Sequence, residues 1–246
     1  MNRIYLFNLP IDYLSLATIV PQLSQLVKDK RKKPYLVTYL NAHNFNLAFK
    51  NNAYQEILHK ADLVYADGWG VVWTARLFGH QLPGRLTTKD FFEEFCQMAE
   101  KKNLSLFFLG GEERVIKKMA KTLVNKFPEI TIKGWQNGFF SPKEETSILS
   151  KINELKPDFL IIGMGSPKQE LWLAKNHSQL KIKVGWCVGG LFDFVSEEKS
   201  RCPKWLGDLG FEWLFRLLTE PKRLWQRYLV GGPEFLFRVI KLKLSS

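Results

Sequence analysis

The stretch DFLIIGMGSPKQE, residues 158–170, decides the fold. Four apolar residues, Phe159 to Ile162, end in Gly163, a second glycine follows at Gly165, and Ser166-Pro167 opens a segment of helical period. An apolar run too short for a helix, closed by glycine and followed by Ser-Pro, reads as strand, tight turn and helix start. Here Ser166 is the expected N-cap, Pro167 the first helical residue and Gln169 the partner that completes a capping box. The same order recurs in LSLFFLGGEE (104–113) and in KVGWCVGG (183–190). Further runs at IYLF (4–7), YLVTYL (35–40), DLVYA (62–66) and ITIKGW (130–135) predict strands. Helices are expected from Ser15, from about Thr88 through FFEEFCQMAEKK, and after Ser141-Pro142-Lys143-Glu144, where Ser is the N-cap and Glu sits at N3. Strands alternating with helices of this length predict an α/β fold, a three-layer Rossmann-like domain with a mostly parallel sheet.

The chain has 246 residues, of which 46% are hydrophobic and 14% aromatic, enough for one sizeable core. Disordered and small disulfide-stapled classes are therefore excluded. A formal charge of +12 speaks about partners, namely phosphates, nucleic acid or an anionic membrane surface. Cys96, Cys187 and Cys202 are an odd count without metal-ligand spacing, which fits a reducing cytosol. The start, MNRIYLFNLPIDYLSL, carries no secretory pattern, and no window offers the roughly 18 apolar residues of a spanning helix. A cytoplasmic protein, at most lying on a membrane, is expected.

Composition shifts near residue 199. From there to Ser246 stand ten Lys/Arg against four acids, a net +6 that is half the charge of the whole chain. The same segment carries Trp205, Phe211, Trp213, Phe215, Trp225, Tyr228, Phe235 and Phe237, with breaks at Gly210, Pro221 and Gly231-Gly232-Pro233. Residues 1–195 read as the catalytic α/β part and 196–246 as a basic helical appendage. The appendage has two readings: a packed helical pair with a solvated basic rim, or an interfacial element with its arginines towards lipid phosphates.

Three expected strands end in glycine turns: Gly110-Gly111, Gly163-Met164-Gly165 and Gly189-Gly190. In an open α/β sheet ligands sit outside the carboxyl ends of the strands, where glycine lets the backbone approach a phosphate. A nucleotide or nucleotide-sugar crevice is one reading; glycines that merely turn the chain are the other. Lys168 and Gln169 would stand on the first helical turn beside that crevice. Asp67, after DLVYA, is either a helix cap or a general base for a sugar hydroxyl. Arg85 is either a solvated loop charge or a fork for a diphosphate. Asp90 reads as a first-turn acid, and Asn41 and His43 as turn residues or sugar contacts. All eight Asp stand apart, so no D-x-D holds a metal, the four His have no ligand spacing, and G-x-S-x-G is missing. No metal or cofactor is expected, and a departing diphosphate would be met by Arg, Lys and helix N-termini.

The spaced set NAHNFNLA, ADLVYADGWGVVW, Arg85 with Asp90, FFLGG, GMGSPKQE, VGGLFDF, R-x-P-K-W (201–205) and GFEWLFRLLTEPKRLWQRYL resembles the WecG/TagA/CpsF glycosyltransferases, in the right order from about residue 4 to 240. The resemblance implies an inverting transfer from a UDP-sugar to an undecaprenyl-diphosphate-linked acceptor at the cytoplasmic membrane face, in cell-envelope polysaccharide synthesis. N-acetylmannosamine is the implied sugar; UDP-glucose or a UDP-uronic acid are the alternatives within the family. By matching positions, Asp67 looks like the catalytic base, and Asn41, Arg85 and Gln169 like pocket residues. Arg216, Arg223 and Arg227 look like the tail arginines that meet the lipid diphosphate. The chain departs from the pattern at Tyr39, where Thr is common, at Cys202, within 195–198 and at Thr88-Lys89. These departures touch donor choice more than reaction type. Two other classes stand beside this reading: a basic nucleic-acid-binding module, which lacks any recognition motif, and a silent membrane-associated scaffold. Partners expected are the UDP-sugar, the lipid-linked acceptor, the membrane surface and a second copy of the chain, with no nucleic acid.

Overall fold

The computed structural model describes residues 2–198 and 202–244. The chain opens with strands β1 (Arg3–Leu6) and β2 (Leu9–Asp12) and helix α1 (Leu16–Lys28). Strand β3 (Tyr35–Leu40) leads to α2 (Ala42–Lys50) and α3 (Asn52–Lys60), and β4 (Leu63–Ala66) to α4 (Trp69–Leu77) and α5 (Thr88–Lys101). Then β5 (Ser105–Gly110), α6 (Glu113–Lys126), β6 (Thr131–Gln136), α7 (Glu145–Leu155), β7 (Phe159–Gly163), α8 (Lys168–Asn176), β8 (Val184–Cys187) and α9 (Leu191–Val195) alternate. The remainder is helical: α10 (Lys204–Asp208), α11 (Glu212–Thr219), α12 (Pro221–Trp225), a π-helical turn (Gln226–Val230) and α13 (Gly231–Leu244).

Six strands form one parallel sheet in the order β4-β3-β8-β7-β5-β6. Apart from the edge strand β6, its strands are covered on both sides, which is why they read as continuous apolar runs rather than alternating ones. Val37, Leu63, Phe108, Ile161 and Trp186 face α1, α5, α6 and α9. Their neighbours Leu36, Val64, Phe107, Leu160 and Cys187 face α2, α3, α7 and α8. Trp186 anchors the first side, stacked on Phe91 at 5.8 Å and edge-on to Phe95 at 5.0 Å between ring centres. The three expected layers are present.

The expected strand at 4–7 lies outside this sheet. Residues 3–12 form an antiparallel hairpin, because Phe7 and Asn8 both take positive φ (52° and 65°) and reverse the chain in two residues. Its second strand, LPID, was hidden by Pro10. Arg3 clasps Asp12 through two 2.8 Å bonds, and the Asp12 carboxylate accepts the Val64 N–H at 2.7 Å, which pins the hairpin beside β4. The helix expected after Ser141 starts at Glu145 instead. The Ser141 N–H and hydroxyl both donate to the Glu144 carboxylate (2.7 and 2.8 Å), closing a turn ahead of the helix.

The basic C-terminal segment is joined to the core. Phe235 and Val239 of α13 are buried against α2, with the Phe235 ring edge-on to Phe45 at 5.2 Å. Asn46 donates to the Gly231 carbonyl at 2.7 Å, and Lys50 pairs with Glu234 at 2.7 Å. The last helix therefore completes one side of the sheet. Phe235→Ala is expected to cost about 3–5 kcal/mol, the usual range for a buried aromatic, read as a lowered denaturation midpoint.

Candidate active site

The carboxyl ends of β3, β7 and β8 open into a cavity of about 1030 Å³ that the C-terminal helices close from the far side. After β3 and β4 the chain crosses to the other flank and returns with β8 beside β3, so the crevice lies where the strand order reverses, the usual ligand position in such sheets.

Asp67 leaves the end of β4 and lines the cavity. Its N–H donates to the Leu40 carbonyl at 2.8 Å, and Asn41 Nδ2 donates to its carboxylate at 3.2 Å. Gly68, at φ 95°, is the cap of α4, so the Asp67 side chain is not the helix cap. Burial pushes the Asp67 carboxyl above the ordinary aspartate range, and the Glu212 carboxylate pushes the same way. Asn41, Arg227 and Thr87 oppose the shift. Asn41 also caps α2, its Oδ1 accepting the Asn44 N–H at 3.0 Å. His43 follows on that helix and lines the cavity; burial, with Arg227 and Lys50 nearby, lowers its imidazole to about 4, so it is neutral at pH 7.

Gly111, Gly163, Gly165, Gly189 and Gly190 line the cavity, and Gly110 sits behind them. Gly110 has φ 133° and backs onto the Gly163 carbonyl so closely that a Cβ there would collide with it. Two turn amides are already engaged: the Gly111 N–H donates to Gly163 O at 3.1 Å, and the Gly189 N–H to Gln169 Oε1 at 3.0 Å.

The segment GMGSPKQE folds differently from a capping box. Helix α8 begins at Lys168 with Pro167 in the cap position, and Gln169 turns inward, fully buried. Its Nε2 donates to Glu170 Oε1 at 2.8 Å, which also accepts from the Ser166 hydroxyl at 2.8 Å and the Thr38 hydroxyl at 3.1 Å. Glu170, passed over in the sequence because a first-turn acid is commonplace on a helix, is the buried hub that orients Gln169. Burial raises its carboxyl above the usual glutamate range. Lys168 is the residue of that turn that faces the cavity, its ammonium donating to Gly138 O at 2.8 Å. Tyr39 also lines it, with its hydroxyl 3.5 Å from Ser166 Oγ and against Gly189.

Arg85 is placed otherwise than its candidate neighbours. Its guanidinium is not among the cavity-lining groups; it donates to Thr87 Oγ1 at 2.7 Å and pairs with Asp90 at 2.8 Å, Asp208 at 3.5 Å and Glu212 at 3.7 Å. Arg216, Arg223 and Arg227 do line the cavity. Arg223 is held by two bonds to Glu220 (2.6 and 2.8 Å). Arg216 lies over the Phe194 ring at 5.4 Å, and its Nε is buried without a hydrogen-bond partner. Arg216 is half-buried as a residue, so its guanidinium combines partial withdrawal from water with a donor left unsatisfied at the cavity. Lys89, which stands out in the sequence only as a departure from the family pattern, and Glu212, which has no local signal, are also in the lining. Arg201 lies outside the described residues. Among the described residues no three His, Cys, Asp or Glu cluster as a metal site, and no helix is long and apolar enough to cross a membrane.

The family model described as "Glycosyl transferase WecG/TagA/CpsF family" matches residues 4–246. An N-acetylglucosaminyldiphosphoundecaprenol N-acetyl-beta-D-mannosaminyltransferase of Bacillus spizizenii is 31% identical over 94% of this chain and 88% of its own length. Proteins of the same name from Bacillus subtilis and Staphylococcus aureus are 28% and 25% identical, covering 95% and 98% of this chain and 90% and 93% of theirs.

Proposed function

The chain belongs to the WecG/TagA/CpsF family of glycosyl transferases, and from that premise we propose that it transfers N-acetylmannosamine from UDP to an undecaprenyl-diphosphate-linked N-acetylglucosamine. The relatives' names support this pairing of sugar and acceptor. The observation that carries the reading is that a half-buried carboxylate, Asp67, and a half-buried cation, Arg216, whose Nε has no hydrogen-bond partner, face one cavity.

Asp67 takes the proton of the acceptor hydroxyl as its oxygen attacks the anomeric carbon of the donor. The bond from that carbon to the UDP oxygen breaks on the opposite face, so the configuration inverts. Charge then grows on the departing diphosphate. Since the Gly111 and Gly189 amides are already bonded, Arg216, Arg227 and Lys168 offset most of it. Residues 1–195 supply the base and the sheet-end turns, and 196–246 supply the arginines. The same tail exposes Trp205, Leu218, Phe237 and Leu244 beside its lysines and arginines, which suits docking at an anionic lipid surface on the cytoplasmic side.

The test is UDP release from UDP-N-acetylmannosamine, its uronic acid and UDP-glucose, with a lipid-diphosphate-linked N-acetylglucosamine acceptor and EDTA present. Turnover with UDP-N-acetylmannosamine alone is expected. Turnover confined to another donor would replace the sugar, and UDP binding without turnover on any donor would overturn the acceptor.

A further inference from the structure

Helix α11 brings Arg216 into the cavity, yet none of its residues is buried. Trp213, Leu214 and Leu218 are all exposed and Phe215 and Leu217 only half-buried, so apolar burial holds this helix weakly. What meets it instead is a charged joint. Lys89, on the first turn of α5, is 8% exposed and puts its ammonium 2.6 Å from Glu212 Oε1. The other Glu212 oxygen lies 3.7 Å from Arg85, which is 11% exposed and also reaches Asp208 on α10. Two cations so withdrawn from water need their carboxylates close by, because an unpaired buried charge is costly.

Glu212 and Arg216 are four residues apart and share one face of α11. The Lys89 ammonium and the Arg216 guanidinium both lie over the Phe194 ring, at 5.3 and 5.4 Å. Fixing Glu212 on Lys89 therefore fixes where the next turn delivers Arg216.

We propose that Glu212 is a positioning residue: paired with Lys89, with Arg85 as the second cation, it seats α11 so that Arg216 faces the cavity. This rests on the glycosyl-transfer reading above. Glu212 stands near Asp67 as well, and its charge adds to the basicity of that carboxylate, so one contact both docks the tail and favours the base.

A charge exchange tests it. Lys89→Glu, Glu212→Lys and the double variant are compared for kcat and KM on the lipid-linked acceptor, and for chymotrypsin cleavage at Trp213 and Phe215. Each single change is expected to lower kcat/KM about 10²-fold, the scale of a misplaced catalytic group, and to open the tail to cleavage. The double variant is expected to regain about tenfold or more and to recover protection. A double variant no better than the worse single in both readouts would overturn the proposal, as would single variants with wild-type kinetics and a protected tail. Should the wild-type protein turn over no donor, the transfer reading falls, while the cleavage pattern still judges the joint.

Discussion

Asp67→Asn is expected to lower turnover by about 10²–10⁴-fold, the range for loss of a general base, with UDP affinity unchanged. Asparagine keeps an oxygen to accept from Asn41 Nδ2 and keeps the backbone bond to Leu40, so the local geometry survives. What it lacks is a lone pair basic enough to take the hydroxyl proton. In the wild-type protein burial and Glu212 hold the Asp67 carboxyl above the ordinary range, so the acid limb of kcat/KM lies higher than a free aspartate would place it. Below that limb Asp67 is protonated and cannot act. The linkage runs the other way for stability. A carboxyl with a raised folded pKa favours folding below its unfolded pKa, and that contribution is lost as pH rises through the folded value. The uncharged Asp67→Asn variant is therefore expected to be at least as stable as wild type at pH 7. Turnover within about threefold of wild type, well below the range for general-base loss, would remove Asp67 from this role.

Arg216→Met carries the second large effect, and here activity and stability are expected to part. Turnover should fall by about 10²–10³-fold, as when one preorganised donor to a developing oxyanion is removed. Stability should hold or rise, because the guanidinium has a buried Nε without a partner and methionine can occupy the same place over Phe194. Steady-state kinetics with a denaturation midpoint on one preparation reads both. A stability loss of about 3 kcal/mol, the size seen when a buried ion pair is broken, with turnover little changed would make Arg216 a structural cation instead.

Much of the frame is legible locally. Strands at 105–110, 159–163 and 184–187 announce themselves because a short apolar run ended by glycine admits few backbone solutions. Asp67 is legible for the same reason, standing at a strand end before a glycine that turns the chain. The tail arginines were readable as candidates from their charge and spacing, although their common cavity was not. Phe7 and Asn8 show the limit on the local side: neither is a glycine, so the hairpin they turn left no mark.

The candidate site beyond that is decided by contacts between distant parts of the chain. Glu212 meets Lys89, and Asp208 meets Arg85, each across 123 positions, so Arg85 looks free in the sequence and is engaged in the fold. Gln169 seems poised to line the crevice, yet Glu170 and the Gly189 amide turn it inward. Phe235 seems part of a detached basic tail, yet it completes the core against Phe45. The strands of the parallel sheet, their glycine turns and several of the helices between them are legible in the chain, with the crevice at the carboxyl edge as one of two readings, because dihedral preference and hydrophobic period act over a few residues. Which charges are paired, which amides are engaged and which cations face the cavity is settled by the folded arrangement, because burial and Coulomb energy depend on distances that chain separation does not specify.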